Sequence, residues 1–255
     1  MRLAARERGT GPGVVLLHGL FGRGRNFGAL QLRLSERFRV VALDLRNHGD
    51  SPHAPDMDYA TLAADVMETL DAIGMARCSL VGHSMGGKVA MRAALDHPDR
   101  IDRLLVADIA PVAYATSLGA YAQAMRDLAL PSGLTRAEAN QALSGAVPDP
   151  TIRGFLLQNL RIGEAPHWTI GLAEIAAAMT TLMSWPKSRP GFSGPTLFVA
   201  GELSDYIAEA ERAAIASLFP QARIVVLGNA GHWVHADDPE GFLRVARIFL
   251  EQQGK

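Results

Sequence analysis

The chain has 255 residues, 48% of them hydrophobic and 20% charged, with a formal net charge of -1. That composition describes a globular chain with a substantial buried core, in one large domain or two modest ones, and it excludes the basic block of a nucleic-acid binder and the acidic run of a disordered arm. The single cysteine, Cys78, excludes an internal disulfide and a cysteine-based metal site, and it fits a reducing cytoplasm.

In chain order, the opening MRLAARERGT lacks the apolar stretch of a secretory signal, and no apolar run approaches the roughly 18 residues of a membrane span. Residues 2–8 have a weak pattern that fits an edge strand. The runs at 14–18 (VVLLH), 40–44 (VVALD), 78–82 (CSLVG) and 103–108 (RLLVAD) are short and mostly apolar without alternation, as expected of parallel strands buried on both faces. Between the second and third of these, Leu62, Val66, Leu70 and Ile73 share one helical stripe, and Asp58 stands where an N-cap belongs. Strands alternating with helices predict a parallel α/β sheet.

After Pro111 the rhythm changes. Residues 112–190 show no convincing strand, and their pattern predicts helices near 114–130, 135–145, 150–160 and 169–185. Thr135 and Glu138 have capping-box spacing, and Pro131, Pro148, Pro150 and Pro166 punctuate the gaps. The α/β rhythm resumes with TLFVAG at 196–201, a helix near 208–219 and ARIVVLG at 222–228. A last helix then carries the stripe Phe242, Val245, Ala246, Phe249 and Leu250. The expected organisation is a core of residues 1–111 and 191–255 with a helical insertion at 112–190. Such an insertion leaves the sheet at the C-terminal end of a strand, where α/β sites usually form.

Gly82-His83-Ser84-Met85-Gly86 fits the G-x-S-x-G nucleophile elbow, with a strand before it and a helix after it. The plain alternative is a serine in an ordinary glycine-rich turn. A serine hydroxyl needs a base to become reactive. Of eight histidines, only His232 and His235 follow the last expected strand, and His232 stands directly after Gly231. A metal-binding role for that pair lacks an H-E-x-x-H helix and a clear third ligand. The base in turn needs a carboxylate to hold its tautomer. Two compete: Asp108, at the end of the strand in VADIAP, and Asp205, in GELSDY after a later strand. Asp108 is the favoured one, because a Gly-x-x-Asp count from Gly201 lands on Ser204 rather than on Asp205.

The oxyanion of an acyl-transfer reaction also needs donors. The elbow rule assigns the N–H of Met85 and a second N–H from the loop after the first buried strand, HGLFGRGRNF, where Leu20 is the natural candidate. The rival reading of that loop is a phosphate cradle. The dinucleotide pattern G-x-G-x-x-G fails at Phe27, and no Walker motif is present. Phe21 and Trp233 are expected near the mouth of a substrate pocket. Met125, Leu128, Ile152, Phe155, Leu156, Trp168, Ile175, Met179 and Met183 are expected mostly in the core of the insertion, the remainder facing an acyl chain. Arg23, Arg25 and Lys88 read as solvated surface rather than as a guide for an anionic leaving group.

Together LLHGLFG, DLRNHGDSPH, VGHSMGGKVAM, VADIAP, GELSDY and NAGHWVHADDPE resemble the α/β-hydrolase superfamily over nearly the whole chain. RNHGDSPH with GHSMGGK and GHWVHAD narrows the resemblance to the YbfF-like acyl esterases and related mitochondrial hydrolase-domain proteins. It implies an α/β fold: a mostly parallel sheet with helices on both faces and an inserted helical cap. It implies Ser84 as nucleophile, His232 as base and Asp108 as acid, with Ser204 supporting the histidine. Asp205, directly after Ser204, departs from the pattern. The expected activity is hydrolysis of carboxylic esters or acyl thioesters of small-molecule substrates, with no metal or organic cofactor, by a monomer or dimer. A lactonase, C–C hydrolase or cofactor-free haloperoxidase on the same triad stays open, as does a non-catalytic small-ligand receptor. An aspartate nucleophile of the epoxide-hydrolase or dehalogenase kind is argued against by Ser84.

Overall fold

The computed structural model describes residues 1–115, 118–186 and 191–252. The predicted helix at 114–130 and the ends of both expected domains therefore touch residues outside the described ones. In chain order the elements are β1 (Ala5–Arg8), β2 (Gly13–Leu17), α1 (Gly28–Leu34), β3 (Arg39–Leu43), α2 (Tyr59–Ala72), β4 (Cys78–His83), α3 (Met85–Asp96) and β5 (Ile101–Ala107). There follow α4 (Leu118–Asp127), α5 (Arg136–Leu143), α6 (Pro150–Leu157), β6 (Leu160–Arg161), β7 (His167–Trp168) and α7 (Leu172–Met183). The chain then returns to the sheet with β8 (Thr196–Gly201), α8 (Glu209–Leu218), β9 (Ala222–Leu227), α9 (Val234–Asp237) and α10 (Pro239–Glu251).

Seven strands form one sheet in the order β1-β3-β2-β4-β5-β8-β9. Only β1 is antiparallel to its neighbour, at the edge where a weak strand was expected. The continuous apolar runs have a direct cause. Alternate residues of a strand face opposite sides, and here both sides are covered. Val15, Leu17, Leu80, Leu104 and Phe198 join the core shared with α2 and α3, whereas Val14, Leu16, Val81, Leu105 and Val199 face α1 and α10.

The periodic helices form where expected. Asp58 caps α2 by accepting from Thr61 N–H at 2.9 Å, and Phe242, Ala246, Phe249 and Leu250 bury one face of α10, with Val245 only partly covered. Thr135 and Glu138 close the capping box of α5.

Between β5 and β8 the reading needs correction. Among its described residues the segment holds, besides four helices, the hairpin β6–β7, two residues a strand and too short for any periodicity to reveal. The expected first and last helices there are also too long: α4 ends at Asp127 and α7 starts at Leu172. Pro150 does not lie in a gap but opens α6, with Asp149 as N-cap, because proline needs no N–H at the first helical position. The short α1 lacks a clear signal of its own and was not predicted.

Candidate active site

β4 runs fully buried into Ser84, which turns with φ 52° and ψ -121° and caps α3. A positive φ is costly for a residue with a side chain and persists only where surrounding structure holds it. Ser84 N–H donates to Ala107 O at 3.0 Å, and Lys88 N–H donates to Ser84 O at 3.1 Å. The flanking glycines allow the turn. A Cβ on Gly82 would lie 2.3 Å from Gly86 O, and one on Gly86 would lie 2.2 Å from Leu17 O. The hydroxyl is thereby presented at the positive end of α3.

His232 follows β9 in the loop before α9 and comes back over the sheet. Its Nε2 lies 3.0 Å from Ser84 Oγ and its Nδ1 2.8 Å from Asp108 Oδ2. Asp108 continues directly from β5 with φ 50°, is 0% exposed, and also accepts from Gly201 N–H at 3.0 Å and from the Ser204 hydroxyl. An ionised carboxylate only accepts, so Nδ1 carries the imidazole proton and Nε2 is left to accept from the serine. Asp205 is exposed on the loop after β8, outside this network. Nor does it cap α8, whose N-cap is Ala208. Of the two candidate carboxylates, the structure brings only Asp108 to the imidazole.

Three features hold the imidazole. Gly201 lets the chain before His232 approach, since a Cβ there would meet Gly231 O at 2.3 Å. The Tyr206 ring stacks on His232 at 4.1 Å and 24°. His83, the x of the elbow motif, donates from Nε2 to the His232 carbonyl at 2.8 Å. A carbonyl can only accept, so His83 carries its proton there. Burial, then the neighbouring His235 and His232, hold its pKa well below the usual histidine range. His235 packs its ring against His83 and Phe27 rather than beside the serine.

The loop after β2 passes close to Ser84: a Cβ on Gly19 would lie 3.2 Å from Ser84 Cβ. Met85 N–H is at the first position of α3, where it has no intrahelical acceptor. Two buried histidines brace the Leu20 loop. His18 Nε2 accepts from Leu45 N–H at 2.9 Å, which leaves Nδ1–H to donate to Gly19 O at 2.8 Å. His48 Nε2 accepts from Phe21 N–H at 3.1 Å, and its Nδ1 donates to Arg46 O at 2.8 Å. Burial pushes His18 down to about 4 and His48 down to about 3, so both stay neutral at ordinary pH. Sequence reading missed these roles and that of His83. All three sit beside glycine in the quoted motifs, but only their partners distinguish a brace from a base.

A cavity of about 210 Å³ opens onto Ser84 and His232. Phe21 and Trp233 line it from the sheet side, and Leu118, Tyr121, Ile152, Phe155 and Leu156 from the inserted segment. Of the apolar residues singled out in the insertion, Ile152, Phe155 and Leu156 thus face this space. Met183 lines a smaller space of about 20 Å³ on the other side of Ser84. Met125 and Ile175 are buried in packing.

Lys88 also borders the smaller space, and there the surface reading fails. Lys88 is 2% exposed, donates to Ser184 O at 2.8 Å and lies over the Tyr59 and Tyr114 rings. Burial pushes its ammonium down to about 7. The insertion covers it, which no local pattern could reveal. Arg23 is partly covered, and Arg25 is exposed.

A family model described as the alpha/beta hydrolase family matches residues 14–245. This chain belongs to that family. Among curated relatives, the sn-1-specific diacylglycerol lipase ABHD11 of Mus musculus is 42% identical over 250 residues, spanning 94% of this chain and 81% of the relative. Esterase YbfF of Escherichia coli (strain K12) is 35% identical over 248 residues, spanning 97% and 96%. A solved marine microorganism esterase superposes with a TM-score of 0.94 at 35% identity, covering 98% of this chain and 99% of the other. The chain is a hydrolase of the esterase type. Among the described residues no helix is long and apolar enough to cross a membrane.

Proposed function

We propose that this α/β-hydrolase cleaves carboxylic esters or acyl thioesters of short to medium acyl chains through Ser84, His232 and Asp108, with an acyl-serine intermediate. The observation that carries the reading is the continuous hydrogen-bonded line from Asp108 through His232 to Ser84 at the floor of an apolar cavity. The relatives named as an esterase and a diacylglycerol lipase act on substrates of this general kind.

Ser84 Oγ attacks the acyl carbonyl as His232 Nε2 takes its proton, and Asp108 holds Nδ1–H and stabilises the imidazolium. The carbonyl oxygen becomes an oxyanion that Leu20 and Met85 N–H groups receive. His232 returns the proton to the leaving alcohol or thiol as the carbonyl re-forms. Water then gives a proton to His232 and its oxygen to the acyl-serine, which releases the acid and restores the hydroxyl. The inserted segment, residues 112–190, serves as a cap whose Ile152, Phe155 and Leu156 meet the substrate with Phe21 and Trp233.

The test is hydrolysis of p-nitrophenyl esters together with fluorophosphonate labelling. Ser84→Ala should lose about four to six orders of magnitude in turnover and all labelling. Equal turnover by that variant overturns the reading.

A further inference from the structure

We infer that the cap takes part in shaping the oxyanion site, and that Asn159 is the positioning residue through which it does so. The inference rests on Leu20 N–H being an oxyanion donor. Leu20 is followed by Phe21, a buried aromatic residue with φ 61°. A bulky residue in that conformation stores about 1–3 kcal/mol of strain and needs external restraint. The restraint comes from two sides. From the core, His48 Nε2 accepts from Phe21 N–H at 3.1 Å. From the insertion, Asn159 Nδ2 donates to Phe21 O at 2.7 Å.

Asn159 is built for that task. It lies between α6 and β6, is 0% exposed, and uses its polar groups fully. Its Oδ1 accepts from Arg23 at 3.0 Å, which returns the grip to the same loop two residues after Phe21. Its carbonyl accepts from Thr169 N–H at 2.8 Å and from the Thr169 hydroxyl at 3.0 Å, so the hairpin β6–β7 fixes its backbone. Arg23 also reaches Thr169 Oγ1 at 3.2 Å. None of these groups lines the cavity at Ser84. Their common effect is to hold the Leu20–Phe21–Gly22 backbone, and with it the direction of the Leu20 N–H. A displacement near 1 Å at a reacting position costs about 100-fold in rate. Seating of the cap and formation of the oxyanion site are therefore one event.

The test compares Asn159→Ala and Asn159→Asp with the native chain on p-nitrophenyl acetate and octanoate, with melting temperature as the control for folding. The aspartate keeps the acceptor for Arg23 but turns a carboxylate oxygen toward Phe21 O. Both variants should lose about 10- to 100-fold in kcat, equally for both esters, with KM within about threefold. A cap that merely encloses the acyl chain would instead raise KM, more for octanoate than for acetate. That pattern, or unchanged kcat in the folded variants, overturns the inference.

If neither Asn159 variant folds, Arg23→Met decides. A several-fold loss of kcat at constant KM supports the inference, and an unchanged kcat overturns it. Ser84→Ala keeps the two readings apart. Without Ser84-dependent turnover in the native chain, the esterase reading fails and this inference with it. Ser84-dependent turnover alongside undiminished kcat in the variants sinks this inference alone.

Discussion

Asp108→Asn tests the assignment of the acid most sharply, because the structure fixes how the amide must sit. Asp108 Oδ1 accepts from Gly201 N–H at 3.0 Å, and Oδ2 faces His232 Nδ1 at 2.8 Å and the Ser204 hydroxyl. An asparagine can place its NH2 at either position. At the Oδ1 position it would face the Gly201 N–H, donor against donor, at a cost of about 1–3 kcal/mol. That favours the other orientation by about 5- to 150-fold. There the NH2 donates to His232 Nδ1, which loses its hydrogen, and the proton moves to Nε2. A protonated Nε2 cannot accept from Ser84. Every buried polar group remains bonded in this arrangement, since the Ser204 hydroxyl can accept. The fold should therefore survive while kcat drops by about 10³- to 10⁴-fold, the size of a wrong-tautomer defect. Steady-state hydrolysis of p-nitrophenyl acetate measures the loss, and thermal unfolding confirms the fold. Asp205→Asn should stay within about twofold of the native rate, as an exposed substitution outside the network does. A normal rate in the folded Asp108 variant, or a collapse in the Asp205 variant, refutes the reasoning.

Three further outcomes are expected. Burial lowers the Lys88 pKa to about 7 from 10.5, so between those values the unfolded chain holds a proton that the folded chain lacks; native stability rises with pH across this window, and below it the cost of the buried ammonium is constant. Relative to the native chain, Lys88→Met should then lose ground as pH rises from about 7 to about 9.5, read by urea unfolding, and a constant difference would contradict burial as the cause. Gly86→Ala drives a Cβ to 2.2 Å from Leu17 O, strand backbone with no room to yield, and should cost about 3 kcal/mol or more, whereas Gly154→Ala in α6 meets nothing within 4 Å and should gain about 0.5–1 kcal/mol. Calorimetry should show opposite shifts in Tm, and equal shifts would refute the packing account. Phe155 and Trp233 pack at 5.7 Å across the cavity; Trp233→Ala should raise KM for an octanoate ester by about 1–3 kcal/mol of lost contact and for an acetate ester by less, and equal increases would place the acyl chain elsewhere.

Much of this protein is local information. The stretches at 14–17 and 80–81 are apolar without alternation because both faces of the sheet are covered, and that pattern survives in one dimension. So does the elbow, because close approach at Gly82 and Gly86 tolerates no side chain and leaves a glycine signature around Ser84. His232 stands out in sequence for a similar reason, as a histidine set by a small-residue turn after the last strand.

Which carboxylate meets the imidazole is a matter of geometry. Asp108 and Asp205 both follow strands and both have the right chemistry. Only the turn at φ 50° and the approach of the Gly231 loop carry one of them to the imidazole, and these involve residues 124 positions apart. The β6–β7 hairpin was hidden because two residues cannot display a period. Lys88 was misread because burial by the insertion depends on how α7 closes over α3. Asn159, His18 and His48 look ordinary in sequence, since a hydrogen bond to a distant backbone leaves no periodic trace. Residue type and spacing determine which elements form and which chemistry is on hand. Which side chains meet is settled by packing between segments remote in the chain, where the energy of each contact depends on both partners at once.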